Sequence, residues 1–369
     1  MPAAESIRDT GDDDCGPDEL ADESDAGQSA RTAGNSTAFA RGGTGRQDGD
    51  VASSETRDGV ALSNLDEPLF DGSGATKRDL VDYLDALHRQ VVGVLSDRPL
   101  SVIRALRGRQ PFMQKNVPKY APEWIATTAV WSAASKREIA YPLCNDRRTL
   151  LWFANQRAIE YHPTLFRMPA TDAPTHLVLD LDPPEGSDFR AVVAVADLVR
   201  QALSDVGLAG AVKTSGSKGV HVFVPVTGAS TEEVALATRS LAVRAEDLDP
   251  TLATTAFIKA DREGKVFLDS TRAGGASVAA AYSPRLRPGT PVSFPVAWSD
   301  LADVAPADFT LRTAPALLND TDPWTALMPA PQHLPADLVE HGRTIPAARA
   351  QALHEQLRQH HRGKRPSPG

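Results

Sequence analysis

His176-Leu-Val-Leu-Asp-Leu-Asp-Pro-Pro-Glu-Gly186 is the stretch on which the fold turns. His176–Leu181 is a compact apolar run, and Pro183-Pro184 cannot donate backbone hydrogen bonds, so the spacing predicts a buried strand that stops at the prolines. Side chains alternate across a strand, which puts Asp180 and Asp182 on the same side, about 6.5 to 7 Å apart along the chain. Two carboxylates so placed repel without a cation, and hard divalent ions such as Mg²⁺ and Mn²⁺ prefer carboxylate oxygens. A pair of such ions serves the in-line displacements of phosphoryl and nucleotidyl transfer. Taken alone, Asp-x-Asp fits equally well two strand-end aspartates that cap a helix or face water.

Working outward, Phe189–Val206 carries Val192, Val195, Val199, Leu203 and Val206 at helical spacing, with Gly207 placed to stop the helix. Ala211–Thr214, the turn Ser215-Gly-Ser-Lys-Gly219 and His221–Val226 predict a hairpin whose Gly-rich turn offers backbone N–H groups to phosphates and whose Lys218 adds a point charge. The turn lacks the spacing and the following helix of a Walker A loop. His221 faces away from Val222 and Val224. Lys265-Val-Phe-Leu-Asp269 predicts a third strand, and Asp269 at its end is a third possible metal ligand. Upstream, Leu150–Ala158 is expected to be helical, as is Thr76–Leu87, with Thr76 as N-cap and Leu80, Tyr83, Leu84 and Leu87 on one face. Residues 334–362 are expected to be largely helical. Strands and helices mix without regular βα alternation, so the fold class is α+β.

The 369 residues carry a net charge of -9, with 12 acidic against 4 basic residues in 1–50, which leaves the rest of the chain near -1. Residues 1–57 hold few large apolar side chains and are expected to form a disordered acidic tail, followed by a catalytic domain over 58–322 and by C-terminal helices and a basic tail over 323–369. Basic residues gather in Arg98–Lys119 and Lys259–Arg287, as along a surface that follows a phosphate backbone. Cys15 and Cys144 allow neither a disulfide framework nor a cysteine zinc site, so oxygen must hold any metal. No run approaches the roughly 18 to 20 apolar residues of a membrane span, and a soluble cytoplasmic protein is expected.

Leu177–Gly186, then Lys213-Thr-Ser-Gly-Ser-Lys-Gly-Val-His-Val222, then Gly264–Asp269 and Ala281-Tyr-Ser-Pro-Arg-Leu-Arg-Pro288 resemble, in order, the motifs of the bacterial primase-polymerases of the archaeo-eukaryotic primase superfamily. These include the polymerase domain of ligase D and stand-alone relatives of the Prim-PolC type, and the resemblance runs from about Leu62 to Leu318. It implies the primase-like catalytic core, with Asp180, Asp182 and Asp269 as catalytic metal ligands for two Mn²⁺ or Mg²⁺ ions. It implies that His162, Ser215, Lys218, His221, Arg272, Arg285 and Arg287 meet the incoming nucleotide. It further implies that Lys77, Phe112, Met113, Lys115 and Arg262 meet DNA, Lys77 by reading the 5′-phosphate beyond a gap. The implied substrates are gapped or primer-template DNA and NTP or dNTP, with short gaps filled and ribonucleotides favoured. The implied state is a monomer near the nucleoid, with no membrane, assisted by a separate DNA ligase or other repair proteins.

Three departures qualify the resemblance. Asp66-Glu67-Pro68-Leu69-Phe70 has acidic residues where the family usually has a basic one, which weakens the 5′-phosphate pocket. Phe112-Met113-Gln114-Lys115 keeps one aromatic where two adjacent ones are common, and Ser-Thr-Arg-Ala follows Asp269 in place of the commoner aromatic sequence. Two other functional classes remain as alternatives. A haloacid-dehalogenase-type phosphatase shares the apolar strand and Asp-x-Asp, but wants Thr or Val where Pro184 stands; a catalytically inactive DNA-end-binding module would keep the fold without the chemistry.

Overall fold

The computed structural model describes residues 55–132, 136–274 and 277–347. The N-terminal half contains β1 (Glu55–Arg57), β2 (Val60–Leu62), α1 (Lys77–Ala86), α2 (His88–Leu95), β3 (Leu100–Arg104), β4 (Phe112–Gln114), β5 (Thr127–Ser132), β6 (Arg137–Pro142), α3 (Arg147–Asn155) and β7 (Ala158–Pro163). The C-terminal half contains β8 (His176–Asp182), α4 (Phe189–Asp205), β9 (Ala211–Thr214), β10 (Val220–Pro225), α5 (Thr231–Leu248), β11 (Ala253–Thr254), β12 (Val266–Asp269) and β13 (Pro295–Val296). Short helices α6 (Ala314–Leu318), α7 (Pro323–Leu327) and α8 (Ala336–Thr344) complete it. The class is α+β.

The central sheet runs in the order β11-β12-β8-β10-β9-β13, antiparallel except between β11 and β12. Leu177, Leu179 and Leu181 of β8, with Val222 and Val224 of β10, are fully buried on one face, and α4 and α5 lie against these strands. The alternate positions of β8 carry His176, Val178, Asp180 and Asp182 to the other face, as a period of two requires. The smaller sheet β4-β3-β7 belongs to the N-terminal half. Residues 277–296 join the halves: Ala280 N donates to Tyr161 O at 2.9 Å, Tyr161 N donates to Ser283 Oγ at 2.9 Å, and β13 then closes the central sheet beside β9.

Helix α1 starts as its composition dictates, with Thr76 and Asp79 forming a reciprocal capping box. The helix expected over Leu150–Ala158 spans Arg147–Asn155 instead, because Asp146 caps its start and Arg157, at φ +61°, turns the chain into β7, where Ala158 is the first residue. The expected acidic tail lies outside the described residues except for Glu55–Arg57, which pairs with β2. At the other end, Trp324 of α7 packs edge-on against Phe223, ring centroids 5.1 Å apart, and α8 lies along α5, so these helices share the core. Of the expected 334–362 helical region, α8 is the described part; 348–369 lie outside it.

Candidate active site

Pairing register assembles the site. Asp180 of β8 lies opposite His221 of β10 on one side and opposite Asp269 of β12 on the other, while His221 lies opposite Lys213 of β9. One row across four strands therefore reads Asp269, Asp180, His221, Lys213, and Asp182 stands two residues farther along β8 on the same face.

Each carboxylate in this row is met by a cation. Arg272 Nε lies 3.5 Å from Asp180 Oδ2 and 3.3 Å from Asp269 Oδ2. Lys218 Nζ lies 3.4 Å from Asp182 Oδ1, and Arg262 Nη1 lies 3.5 Å from Asp182 Oδ2 with its guanidinium 3.8 Å from the Phe267 ring centroid. His221 Nε2 faces Asp180 Oδ1 at 3.3 Å. Asp269 Oδ1 also accepts from Thr271 N at 2.7 Å and from Thr271 Oγ1 at 2.6 Å. Burial by itself would raise the Asp180 carboxyl, but His221, Arg272 and Lys213 hold it well below the usual carboxylate range. Asp182 goes the other way, raised by burial and by the charge of Asp180 against the pull of Lys218 and Arg262. Asp180 and Asp182 thus shift in opposite directions although they share one face of β8. Among the described residues no three His, Cys, Asp or Glu side chains close on a single point as a finished metal site; protein cations stand between them.

Behind His221, Lys213 is wholly buried; its Nζ donates to His221 Nδ1 at 2.8 Å and to Ser293 Oγ, which in turn donates to Thr214 O at 2.8 Å. With Nδ1 accepting, the ring proton of His221 sits on Nε2, towards Asp180. Burial, followed by the charge of Lys213, pushes His221 down to about 4, so the ring is neutral at neutral pH.

The second group of expected nucleotide contacts gathers around Glu160, a buried carboxylate on β7. Glu160 Oε2 lies 2.9 Å from His162 Nε2 and 3.0 Å from Arg285 Nε, and Oε1 accepts from Leu286 N at 2.8 Å. Arg285 Nη1 donates to Ser215 O at 2.6 Å and so ties this group to the Ser215–Gly219 turn. Burial would raise Glu160; Arg285, His162 and the Leu286 N–H outweigh it and hold the carboxyl well below its ordinary range. Arg287 follows on the same segment, half-buried. In the turn itself, Ser215 Oγ accepts from Ser217 N at 3.2 Å and from Gly219 N at 3.1 Å. These two N–H groups, expected to face phosphate, are occupied by Ser215, because its side chain folds back over the turn.

The residues expected to meet DNA separate. Arg262 belongs to the aspartate cluster. Lys77, buried at the start of α1, donates to Ser63 O at 2.6 Å and to Asn155 Oδ1 at 2.7 Å, in a recess of about 380 Å³ lined also by Arg104, Arg107 and Arg157. Arg104 reaches from this recess to Gln114 Oε1 at 2.6 Å and to Tyr120 Oη at 2.9 Å, with Phe112 beside it at 5.7 Å from its ring centroid. Phe112 and Tyr120 are exposed, and Met113 and Lys115 lie half-buried on and just after β4. Arg98, counted from sequence with this basic cluster, is internal instead and donates to Thr164 O and Thr175 Oγ1. Sequence reading missed Glu160, Lys213 and Arg157 as members of these groups, whereas Arg104 lay within the basic cluster it singled out. Glu160 and Lys213 flank recognised motif residues by two positions, the period of a strand, and that was the available signal.

This arrangement coincides with a known family. The model of the LigD primase-polymerase domain matches residues 76–324. The chain belongs to the LigD primase-polymerase family. That domain is a DNA-directed nucleotidyltransferase, which sets aside the haloacid-dehalogenase reading. The multifunctional non-homologous end joining DNA repair protein LigD of Mycobacterium tuberculosis (strain H37Rv) is 34% identical over 258 residues, covering 67% of this chain and 34% of that protein. The bifunctional non-homologous end joining protein LigD of Bacillus subtilis is 30% identical over 260 residues, covering 69% of this chain and 41% of that protein. The chain thus spans about a third to two fifths of the length of these LigD relatives. Among solved structures, the polymerase domain from Mycobacterium tuberculosis ligase D in complex with DNA is similar with a TM-score of 0.67 and 31% identity, covering 73% of this chain and 97% of that domain. Among the described residues no helix is long and apolar enough to cross a membrane.

Proposed function

We propose that this chain is a repair primase-polymerase that adds nucleotides to a 3′-hydroxyl opposite a template across short DNA gaps, taking ribonucleotides in preference to deoxyribonucleotides. The observation that carries the reading is the cross-sheet row of Asp269, Asp180 and His221 with Asp182 beside it. Its oxygen donors suit Mg²⁺ or Mn²⁺, and the fit is supported by Asp180 and Asp269 already sharing one cationic nitrogen, Nε of Arg272. Bound by Asp180, Asp182 and Asp269, two such ions supply a lowered pKa for the primer hydroxyl and neutralisation of the leaving pyrophosphate.

The chain's own residues do the rest. Asp180, held below the usual range, stays anionic through neutral pH. Lys218 and Arg272, which neutralise these carboxylates in the ligand-free chain, become available to the triphosphate, whose oxygens favour charge-assisted donors. His221 presents its Nε2 proton, and Glu160 orients His162 and Arg285 beside the turn whose shape Ser215 holds; Arg287 adds charge on the same segment. Lys77, in its recess, takes the 5′-phosphate of the downstream strand, while Phe112, Met113 and Lys115 hold the template region by stacking and charge, and Arg262 steadies Asp182. In this reading the catalytic unit spans 58–322 with α7 and α8 packed onto its core, the protein works as a monomer in the nucleoid-containing cytoplasm, and a separate ligase seals the filled gap.

The test is extension of a labelled primer on a one- to few-nucleotide gap with Mn²⁺ or Mg²⁺ and NTP or dNTP. Extension is expected, stronger with NTP, and lost in Asp180→Ala/Asp182→Ala. Undiminished extension by that double variant overturns the site assignment, and binding of gapped DNA with no extension in either metal assigns the fold to end binding instead.

A further inference from the structure

Among the described residues, Glu67 is the sole acidic side chain lining the Lys77 recess. Backbone pairing keeps it there: Lys77 N donates to Glu67 O at 2.9 Å, and Pro68 bridges Thr76 in antiparallel fashion. Its carboxylate reaches the guanidinium groups of the recess, with Oε2 3.5 Å from Arg157 Nη1 and Oε1 3.7 Å from Arg107 Nη1. Arg157 is otherwise anchored by carbonyls, donating from Nε to Ala105 O at 2.9 Å and from Nη2 to Pro68 O at 2.5 Å, so among the described residues the recess offers it no second anion. Four cations therefore share the recess with one carboxylate, and two of them lie within 4 Å of it.

We propose that Glu67 is an internal competitor for the phosphate seat of this recess, a specificity-determining residue that makes recognition of a strand-end phosphate weak and reversible. The proposal rests on the reading of the recess as the 5′-phosphate site. A phosphate monoester at neutral pH carries nearly two negative charges and three strong acceptor oxygens, whereas Glu67 brings one charge held at long, half-exposed ion-pair distances. Arg107, 86% exposed at its side chain, is screened by water, and a pair of this kind changes binding by about fivefold at most. Glu67 is thus displaced by the phosphate rather than excluding it, and its carboxylate must turn away from Arg157 and Arg107 for the phosphate to enter. A domain built this way binds a gap whether or not its downstream strand carries a phosphate, with a modest preference for the phosphorylated one.

The experiment measures affinity of the full chain, by fluorescence anisotropy, for two gapped duplexes that differ in a downstream 5′-phosphate or 5′-hydroxyl. The readout is the ratio of the two Kd values, which cancels the general effect of charge on DNA binding. Glu67→Gln, isosteric and half-exposed, is expected to raise the preference for phosphate by about two- to fivefold, while Lys77→Met and the exposed Arg107→Ala lower it in either background. If Glu67→Gln leaves the ratio at the wild-type value while Arg107→Ala or Lys77→Met lowers it, the competitor proposal is wrong and the phosphate reading stands. If neither basic substitution moves the ratio, the phosphate reading itself fails and the proposal with it.

Discussion

Lys213 Nζ stands 2.8 Å from Nδ1 of His221, and both side chains are buried inside the central sheet. The lysine has no direct path to a ligand, so its effect must pass through the imidazole: it fixes which nitrogen carries the proton facing Asp180. Lys213→Met keeps the length of the side chain and removes the donor. Primer extension is expected to fall by about 10- to 100-fold, the scale of losing an outer group that orients an active-site ring, with the thermal midpoint retained. Single-turnover extension and a melting curve on the same preparation check this; an unchanged rate would mean that Asp180 alone orients the ring.

Glu160 links three donors from two segments, and Gln in its place leaves Arg285 partly buried without its counter-charge. A loss of about 3 kcal/mol in folding stability is expected at pH 7, together with a raised KM for nucleotide. Since the folded carboxyl titrates below its ordinary 4.5, the unfolded chain takes up its proton first as pH falls. The Glu160 contribution is therefore complete above about pH 4.5 and shrinks below it. Urea unfolding of wild type and Glu160→Gln at pH 7 and pH 3 should show the gap between them narrowing at the lower pH.

Lys77 titrates well below an ordinary lysine. Burial, then the neighbouring charge of Arg157, drives its amine down from 10.5 to about 8, with Glu67 opposing. A phosphate needs the protonated form, so preference for a 5′-phosphorylated gap should weaken as pH rises through about 8 and stay flat in Lys77→Met. Stability should move in the opposite sense: between about 8 and 10.5 the unfolded chain still holds a proton the folded chain has released, so unfolding becomes harder with rising pH. Anisotropy titrations at pH 7 and 9 and denaturant melts at pH 8 and 10 read the two effects separately.

Gly219 permits the hairpin to lie against β8. A Cβ there would come 2.3 Å from Leu181 O, between the two aspartates, and that backbone cannot yield without moving Asp182. Gly219→Ala is expected to cost about 1 to 3 kcal/mol and to depress extension more than DNA binding. Gly216→Ala should be at least as costly, because its φ of +72° adds backbone strain to a 2.8 Å approach to Ser293 N. Comparing melting midpoints with extension rates for the two variants separates the stability loss from the loss of geometry.

Much of the fold was legible because its signals are local. The strand His176–Asp182, the helix from Phe189 to its stop at Gly207 and the hairpin around Ser215–Gly219 follow from alternation, helical spacing, prolines and glycines acting over a few residues. Where reading went astray, a distant partner decided. Ala158 joined β7 rather than the preceding helix because Arg157 turns there and anchors itself to the carbonyls of Pro68, Leu69 and Ala105. Arg98 left the basic surface because Thr164 and Thr175 take it inside.

The candidate site divides along the same line. Strand periodicity and turn chemistry, which need no distant contact to act, determined the α+β class and the residue types on the aspartate face, and the order of the motifs carried the resemblance to the family. Only the tertiary structure decided which charges meet. Arg272 lies between Asp180 and Asp269, Lys213 stands behind His221, Glu160 holds Arg285, and Glu67 answers Arg157, because interstrand register and packing of segments far apart in the chain set distances of 2.8 to 3.5 Å, and at that range charge interactions are decided.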